Sequence, residues 1–356
     1  MNGKSRIAAV LLAGAAAASF ASCGADTTWA AKNGEDIMPA GVYIVGEIDS
    51  YYDAEERFAE LNPDMEVSAD AADRAKVVLK GDIDGKTGAQ YITDLAMERA
   101  RNYFAAQALC RERGIELTEA DAASIRRNND TVWSYTGTFY ERNGVSRESL
   151  EKMAQNYMKQ NLLLQNLYGE GGEREISDAD YEAHYRSTRT RVRYIPFSLL
   201  NTETGEALSE EDAQKVRDEA NAYLGRAKDA AEMAKLLIEH ETAVNGEAPE
   251  NTAPGAYDML LTEDSTSPSQ AFVDEMRAAP EGEARLIENG NTLYVAMRVD
   301  PMSDRDALDS LKSTMLREIA QDEFDAWLAE QGNALSVTFN DAALGRYTPS
   351  KIDFKF

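Results

Sequence analysis

Arg191-Val-Arg-Tyr-Ile-Pro-Phe-Ser-Leu-Leu200 is the stretch where the chain changes character. It is rich in β-branched and aromatic residues and reads as a strand. Pro196 lacks an N–H, which confines such a strand to a sheet edge or a bulge. Asn201–Leu208 is turn-like, and Ser209-x-x-Asp212 then caps a helix to about Leu224. A second short helix covers Asp229–Glu239. Residues 241–268 carry Gly246, Pro249, Pro254, Gly255 and Pro268 and read as loop. A helix over Gln270–Ala278 leads to strands at Ala284–Glu288 and Thr292–Val299, joined at Asn289-Gly290, a strong hairpin signal. Residues 188–301 are thus predicted as a small α+β domain.

Upstream, the periodicity is helical. A helix is predicted over Ala40–Leu61, entered by Pro39 and stopped by Asn62-Pro63. Residues 64–88 are mixed and Gly-rich. A helix over Ala89–Arg113 ends at Gly114, where a C-cap glycine belongs. Thr118-x-x-Asp121 and Ser177-x-x-Asp180 are acidic variants of the capping box, and Ser146 caps a long helix with Leu150, Met153, Tyr157, Leu164 and Tyr168 on one stripe. Residues 38–187 therefore read as a helical domain without a convincing strand. Downstream, Ser303-x-x-Asp306 opens a helix to about Gln331, ended by Gly332. Ala334–Phe339 reads as a short strand. Residues 302–340 are expected to pack back on the helical domain, and 341–356 form an irregular tail. The predicted fold class is α+β: a helical domain completed by a C-terminal helix, with the small α+β domain inserted.

Composition narrows the function. The 356 residues include 37 basic and 63 acidic ones, for a net charge of −26. Such acidity argues against nucleic acid, whose phosphates need Lys and Arg, and against polybasic adhesion to anionic lipid. Lys4 and Arg6 precede an apolar run from Ile7 to Phe20, and small residues follow. This is the order of a secretory signal peptide over residues 1–22, too short to span a bilayer. Phe20-Ala21-Ser22-Cys23 resembles the lipobox of bacterial lipoproteins. The resemblance implies a lipid on Cys23, a tether over 23–37 and an extracytoplasmic protein held on the outer face of the cytoplasmic membrane. Cys110 is then alone, without a disulfide partner, and reads as a small buried hydrophobe. His184 and His240 cannot supply a zinc constellation. His184 reads as a surface or packing residue and His240 as a solvated helix end. Asp82-Ile-Asp84-Gly85 has the wrong spacing for a calcium loop and reads as a turn. No cofactor and no metal is expected.

A lipoprotein signal, a helical N-terminal segment, a small α+β insert and a returning helix together resemble the extracytoplasmic foldases of the PrsA/SurA type. The likeness covers roughly residues 30–335. Trp29-Ala-Ala-Lys-Asn-Gly-Glu-Asp-Ile37 with Pro39-Ala-Gly-Val-Tyr43 looks like the opening of such lipoproteins. Arg191-Val-Arg-Tyr-Ile195 looks like the first strand of a parvulin-type prolyl isomerase, Asp229-Ala-Ala-Glu-Met-Ala-Lys235 like its second helix, and Phe272 through Pro280-Glu-Gly-Glu283 like the approach to its last strands.

The departures shape the expectation. Active parvulins resemble one another in placing a histidine on the first strand and another on the last. Here the first-strand position is Tyr194, and Ala284–Val299 holds no histidine. Prolyl isomerisation breaks no bond; it needs a pocket favouring a twisted amide over the planar one, across a barrier of about 18–20 kcal/mol. A pocket without its polar centre can still bind chains while losing much of that preference. The expectation is a chaperone that holds unfolded or newly secreted polypeptides in a cradle between its domains, with weak or no isomerase activity. The alternatives are an active isomerase with an altered pocket, in which Tyr194 and Tyr294 are the pocket residues, and a cell-surface adaptor lipoprotein. Tyr43, Tyr51 and Tyr52, at helical spacing on the first helix, read mainly as core, and they are also the candidates for a client-facing aromatic surface. The sequence leaves the oligomeric state open.

Overall fold

The computed structural model describes residues 28–65 and 68–355. It is mixed α+β. The chain divides into two compact units, one running to Leu163 and resuming at Glu323, the other holding Leu164–Asp322. Cys23 and the signal segment lie outside the described residues.

The first unit opens on a hairpin of β1 (Trp29–Asn33) and β2 (Asp36–Pro39). Residues up to Ile37 read as tether in the sequence. The two strands pair because Ala30, Ala31 and Met38 have an apolar bed to fill: all three are at most 1 % exposed. The next element is α1 (Ala40–Leu61), with Pro39 at its N-cap and Asn62 closing it through an Nδ2 bond to the Phe58 carbonyl. Its first turns, Ala40 to Ile48, are buried all round, as a helix apolar on every side should be. Helix α2 (Ala71–Lys80) comes next, inside a stretch that propensity alone leaves mixed. Strands β3 (Asp82–Ile83) and β4 (Lys86–Thr87) form a minimal hairpin on Asp84-Gly85. Both turn residues have positive φ, as an Asp-Gly turn of this length requires. The helical region therefore does contain a strand pair, held at Asp84 by the Arg57 fork.

Three longer helices follow: α3 (Gly88–Arg113), α4 (Glu119–Arg142) and α5 (Arg147–Tyr168). Gly114 caps α3 in the left-handed conformation, and Thr118 and Asp121 form the expected reciprocal box. Tyr43, Ile48, Ile92, Phe104, Phe139 and Met153 meet in one core. Each such side chain contributes about 1.5–3 kcal/mol on full burial.

The second unit takes in α6 (Asp178–Thr188), β5 (Thr190–Ser198), α7 (Glu210–Arg226), α8 (Ala230–Asn245), β6 (Met259–Leu261), α9 (Gln270–Ala278), β7 (Ala284–Asn289) and β8 (Thr292–Val299). The strands form an antiparallel sheet in the order β6-β5-β8-β7. Strand β6 falls where the sequence reads as loop. It is only three residues long and is defined by its partner, pairing Met259–Leu261 with Thr190–Val192. This explains Pro196. Strand β5 is central, but β6 covers only its first residues, so the missing N–H points to the uncovered side. The β7–β8 turn is Gly290-Asn291, one residue later than expected. Asn289 pairs with Thr292, and Gly290 supplies the positive φ. Helices α7 and α8 cover one face through Ala220, Tyr223, Met233 and Leu236 on Ile195, Phe197 and Val295. Helix α9 covers the other through Phe272, Val273 and Met276 on Val192, Ile287 and Ala296.

Helix α10 (Arg305–Ala334) starts after Asp304, whose side chain accepts from the Ala307 N–H; Ser303 is not the cap. The expected domain limits at 187/188 and 301/302 fall inside the second unit. The Asp178–Lys312 and Glu182–Arg305 ion pairs and the His184–Glu318 hydrogen bond tie α6 to the first part of α10. Gly332 does not end α10. It lies within the helix, where a Cβ would stand 2.7 Å from Asn102 Oδ1 and 3.1 Å from the Arg101 carbonyl carbon, so this glycine lets α10 approach α3. Strand β9 (Thr338–Phe339) then pairs with β1, giving the order β2-β1-β9. A short α11 (Asp341–Leu344) follows. The expected irregular tail is anchored: Phe354 is 4 % exposed, and its ring lies 4.0 Å from that of Tyr51.

Candidate functional site

The strands bring Tyr194 and Tyr294 together. Tyr194 is paired with Ala296 and Tyr294 with Pro196, so the two tyrosines are diagonal neighbours on one sheet face. Their ring centroids lie 5.6 Å apart at 70°. Phe272 of α9 completes the cluster, at 5.8 Å from Tyr194 and 5.1 Å from Tyr294. Edge-to-face contacts of this kind are each worth about 0.5–1.5 kcal/mol beyond burial. Phe272 is fully buried and forms the floor, the tyrosines are half-buried, and Pro196 beside them is exposed. The small Ala296 opposite Tyr194 leaves the space that the rings occupy.

Electrostatics limit what this face can do. Burial, then the neighbouring Tyr294, push the Tyr194 phenol above its ordinary value, so it stays neutral near pH 7. A neutral phenol can donate or accept a hydrogen bond and present a ring face or edge. It is a poor general acid or base at that pH. Neither histidine joins the cluster. His240 is buried on the opposite sheet face, 4.5 Å from the Phe197 ring and 5.7 Å from that of Tyr223. It is therefore a core residue and not the solvated helix end that its flanking glutamates suggest. His184 Nε2 lies 2.6 Å from Glu318 Oε2. Burial alone would raise the Glu318 carboxyl, but the hydrogen bonds from His184 and Arg189 hold it below its usual range.

The tyrosines of α1 separate. Tyr43 and Tyr51 are each 2 % exposed and belong to the core, so neither can meet a client. Tyr52, at 42 % exposure, remains on the surface. Cys110 is buried, and burial raises its thiol. Among the described residues no group of His, Cys, Asp or Glu is placed to hold a metal ion, and no helix is long and apolar enough to cross a membrane.

Two charged features escape sequence reading. Asp258, whose side chain is 1 % exposed, takes a bidentate fork from Arg193 and a further bond from Arg191, whose other arm reaches Asp304 at 2.7 Å. Burial tends to lower the Arg191 guanidinium, but Asp304 and Asp258 hold it above its ordinary value. The one local signal is a pair of arginines two apart on the inward face of a strand, which demands a buried acid. The other feature is Glu47, buried in α1.

No family model matches the chain, and no curated protein matches it. Solved structures do. The foldase protein PrsA of Streptococcus pneumoniae matches at 15 % identity and TM-score 0.32, over 76 % of this chain and 97 % of that one. The foldase protein PrsA of Lactococcus lactis matches at 12 % identity and TM-score 0.33, over 90 % and 99 %. PrsA of Bacillus subtilis matches at 11 % identity and TM-score 0.26, over 78 % and 91 %. All three scores are low, and the functional reading rests on the residues of this chain.

Proposed function

We propose that this protein is an extracytoplasmic chaperone, lipid-anchored through Cys23, that binds unfolded or newly secreted polypeptides and has weak or no prolyl isomerase activity. The observation that carries the reading is the Tyr194/Phe272/Tyr294 cluster on the sheet of the second unit. In the parvulin resemblance the first and last strands each hold a histidine; here the first-strand position is Tyr194, the last strand has no histidine, and the rings of Tyr194 and Tyr294 meet over a buried phenylalanine. A rigid aromatic face accepts prolyl rings and apolar side chains at low entropic cost and with little sequence demand. Chain binding of this sort calls for no cofactor. Twisting an amide calls for polar groups aimed at the displaced carbonyl and nitrogen, and the cluster offers two phenols.

The test is one refolding sample read two ways. Mature protein is added to a client whose refolding is limited by a prolyl bond and which aggregates on its own. The expected outcome is suppressed aggregation at near-stoichiometric ratios with no acceleration of the slow phase. Tyr194→Ala with Tyr294→Ala should weaken client binding about tenfold or more, in line with about 1–3 kcal/mol per buried aromatic anchor. Aggregation unchanged with several unrelated clients would defeat the chaperone reading. Acceleration lost in Tyr194→Ala would make the protein an isomerase.

A further inference from the structure

Glu47 sits midway along α1 and is 1 % exposed. Neither carboxyl oxygen has a hydrogen-bond partner among the described residues. It lines a cavity of about 270 Å³ within the helical unit, together with Ile44 and Asn143. Exposed Arg142, Arg346 and Lys351 line the same cavity. Leaving a buried polar group unpaired costs on the order of several kcal/mol, so the fold maintains here a polarity that its own contacts do not use. The size also matters. A liquid water occupies about 30 Å³, so the cavity has room for a small organic molecule.

The lining carries an acidic group and basic groups that ask for opposite partners. A carboxyl enclosed in protein is satisfied by a hydrogen-bond donor, most strongly by a cationic one. Arg142 already donates to the Lys355 carbonyl, with the Asp353 carboxylate 3.9 Å away, and Lys351 donates to the Gly345 carbonyl. Guanidinium and ammonium groups carry five and three donors, which leaves these side chains donors for an incoming anion. We infer that this cavity binds a small zwitterion of the amino-acid class, its ammonium group on Glu47 and its carboxylate on Arg142, Arg346 and Lys351. The site is separate from the aromatic face and does not depend on the chaperone reading.

Proton balance gives the binding a signature. Burial raises the Glu47 carboxyl to about 8, and the Tyr43 phenol one turn earlier is itself raised by burial and by Glu47, so both are neutral near pH 7. An ammonium seated on Glu47 favours the carboxylate, and the carboxyl proton leaves to solvent. No bond other than that O–H breaks. Calorimetry on the mature protein at about pH 6.5, in buffers of different ionisation enthalpy, should show L-alanine binding with release approaching one proton per site. Betaine, which has no N–H, and acetate and ethylamine, which each carry one charge, should bind at least about tenfold more weakly. Arg346→Ala with Lys351→Ala, both at exposed positions, should weaken alanine by about tenfold, and Glu47→Gln should abolish proton release. Three results would overturn the inference: no heat from alanine up to about 10 mM, betaine binding as well as alanine, or unchanged affinity in the Arg346/Lys351 variant.

Discussion

Asp258→Ala should destabilise the second unit more than any surface change in it. The wild-type carboxylate receives Arg193 Nε at 2.7 Å, Arg193 Nη2 at 2.9 Å and Arg191 Nε at 2.9 Å. The two arginine side chains are 6 % and 8 % exposed, so water cannot replace the lost partner. Arg191 keeps Asp304, but Arg193 retains only its bond to the Ala230 carbonyl. Removing one member of a buried ion pair costs about 3–5 kcal/mol, chiefly from the charge left behind. For a unit of this size about 1 kcal/mol moves Tm by about 2–4 °C, so the midpoint should fall by roughly 6–20 °C. Denaturant unfolding followed by circular dichroism gives the free energy, and Arg193→Met/Asp258→Leu completes the experiment. A buried pair replaced by apolar groups of similar volume is often neutral or stabilising, so the double variant should recover most of the loss. A single-variant loss below about 1 kcal/mol, the size of an exposed pair, would show that Asp258 is solvated and would refute the reasoning. So would a double variant no better than the single one.

Phe354→Ala should cost about 3–5 kcal/mol in the first unit, because its ring fills space between Tyr51 and Phe139; a denaturant midpoint within error of wild type would mean the tail does not pack. Stability should also fall with rising pH through Glu47. Its folded value, about 8, lies above the unfolded value near 4.5. The folded state therefore binds the extra proton, and the stability present below the unfolded value is lost as pH climbs through the window to the folded one. The slope is at most about 1.4 kcal/mol per pH unit. Glu47→Gln should remove that slope, and equal slopes in both proteins would show that Glu47 ionises freely.

What the sequence made legible was local. Helix starts at Thr118 and Ser177 could be read because the cap and its acid lie three residues apart and satisfy each other. Tyr194 and Tyr294 could be named through the parvulin resemblance, which puts pocket residues on the first and last strands. What stayed hidden depends on distant partners. Strand β6 exists by virtue of Thr190–Val192, and Asp258 acquires its role from two arginines 65 and 67 residues earlier. The β1–β2 hairpin looked like a tether because short runs such as Trp-Ala-Ala-Lys-Asn have no amphipathic pattern; Ala31 is fixed by Phe339 at the other end of the chain. Tyr43 and Tyr51 fit the core reading of their helical spacing and not the client-facing alternative. Helix α1 is enclosed nearly all round in its first half, so an aromatic stripe there faces core.

The ladder between β1 and β9 has a consequence for the order of assembly. Residues 164–322 form a continuous stretch, so that unit has all of its own parts once they have emerged. The helical unit does not. Its opening hairpin waits for Thr338 and Phe339, and its core waits for Phe354. A chain that emerges N-terminus first would therefore finish its middle before its beginning. Until the last residues arrive, Tyr51 lacks its Phe354 partner and one edge of β1 stays unpaired, at risk of association with other unfolded segments.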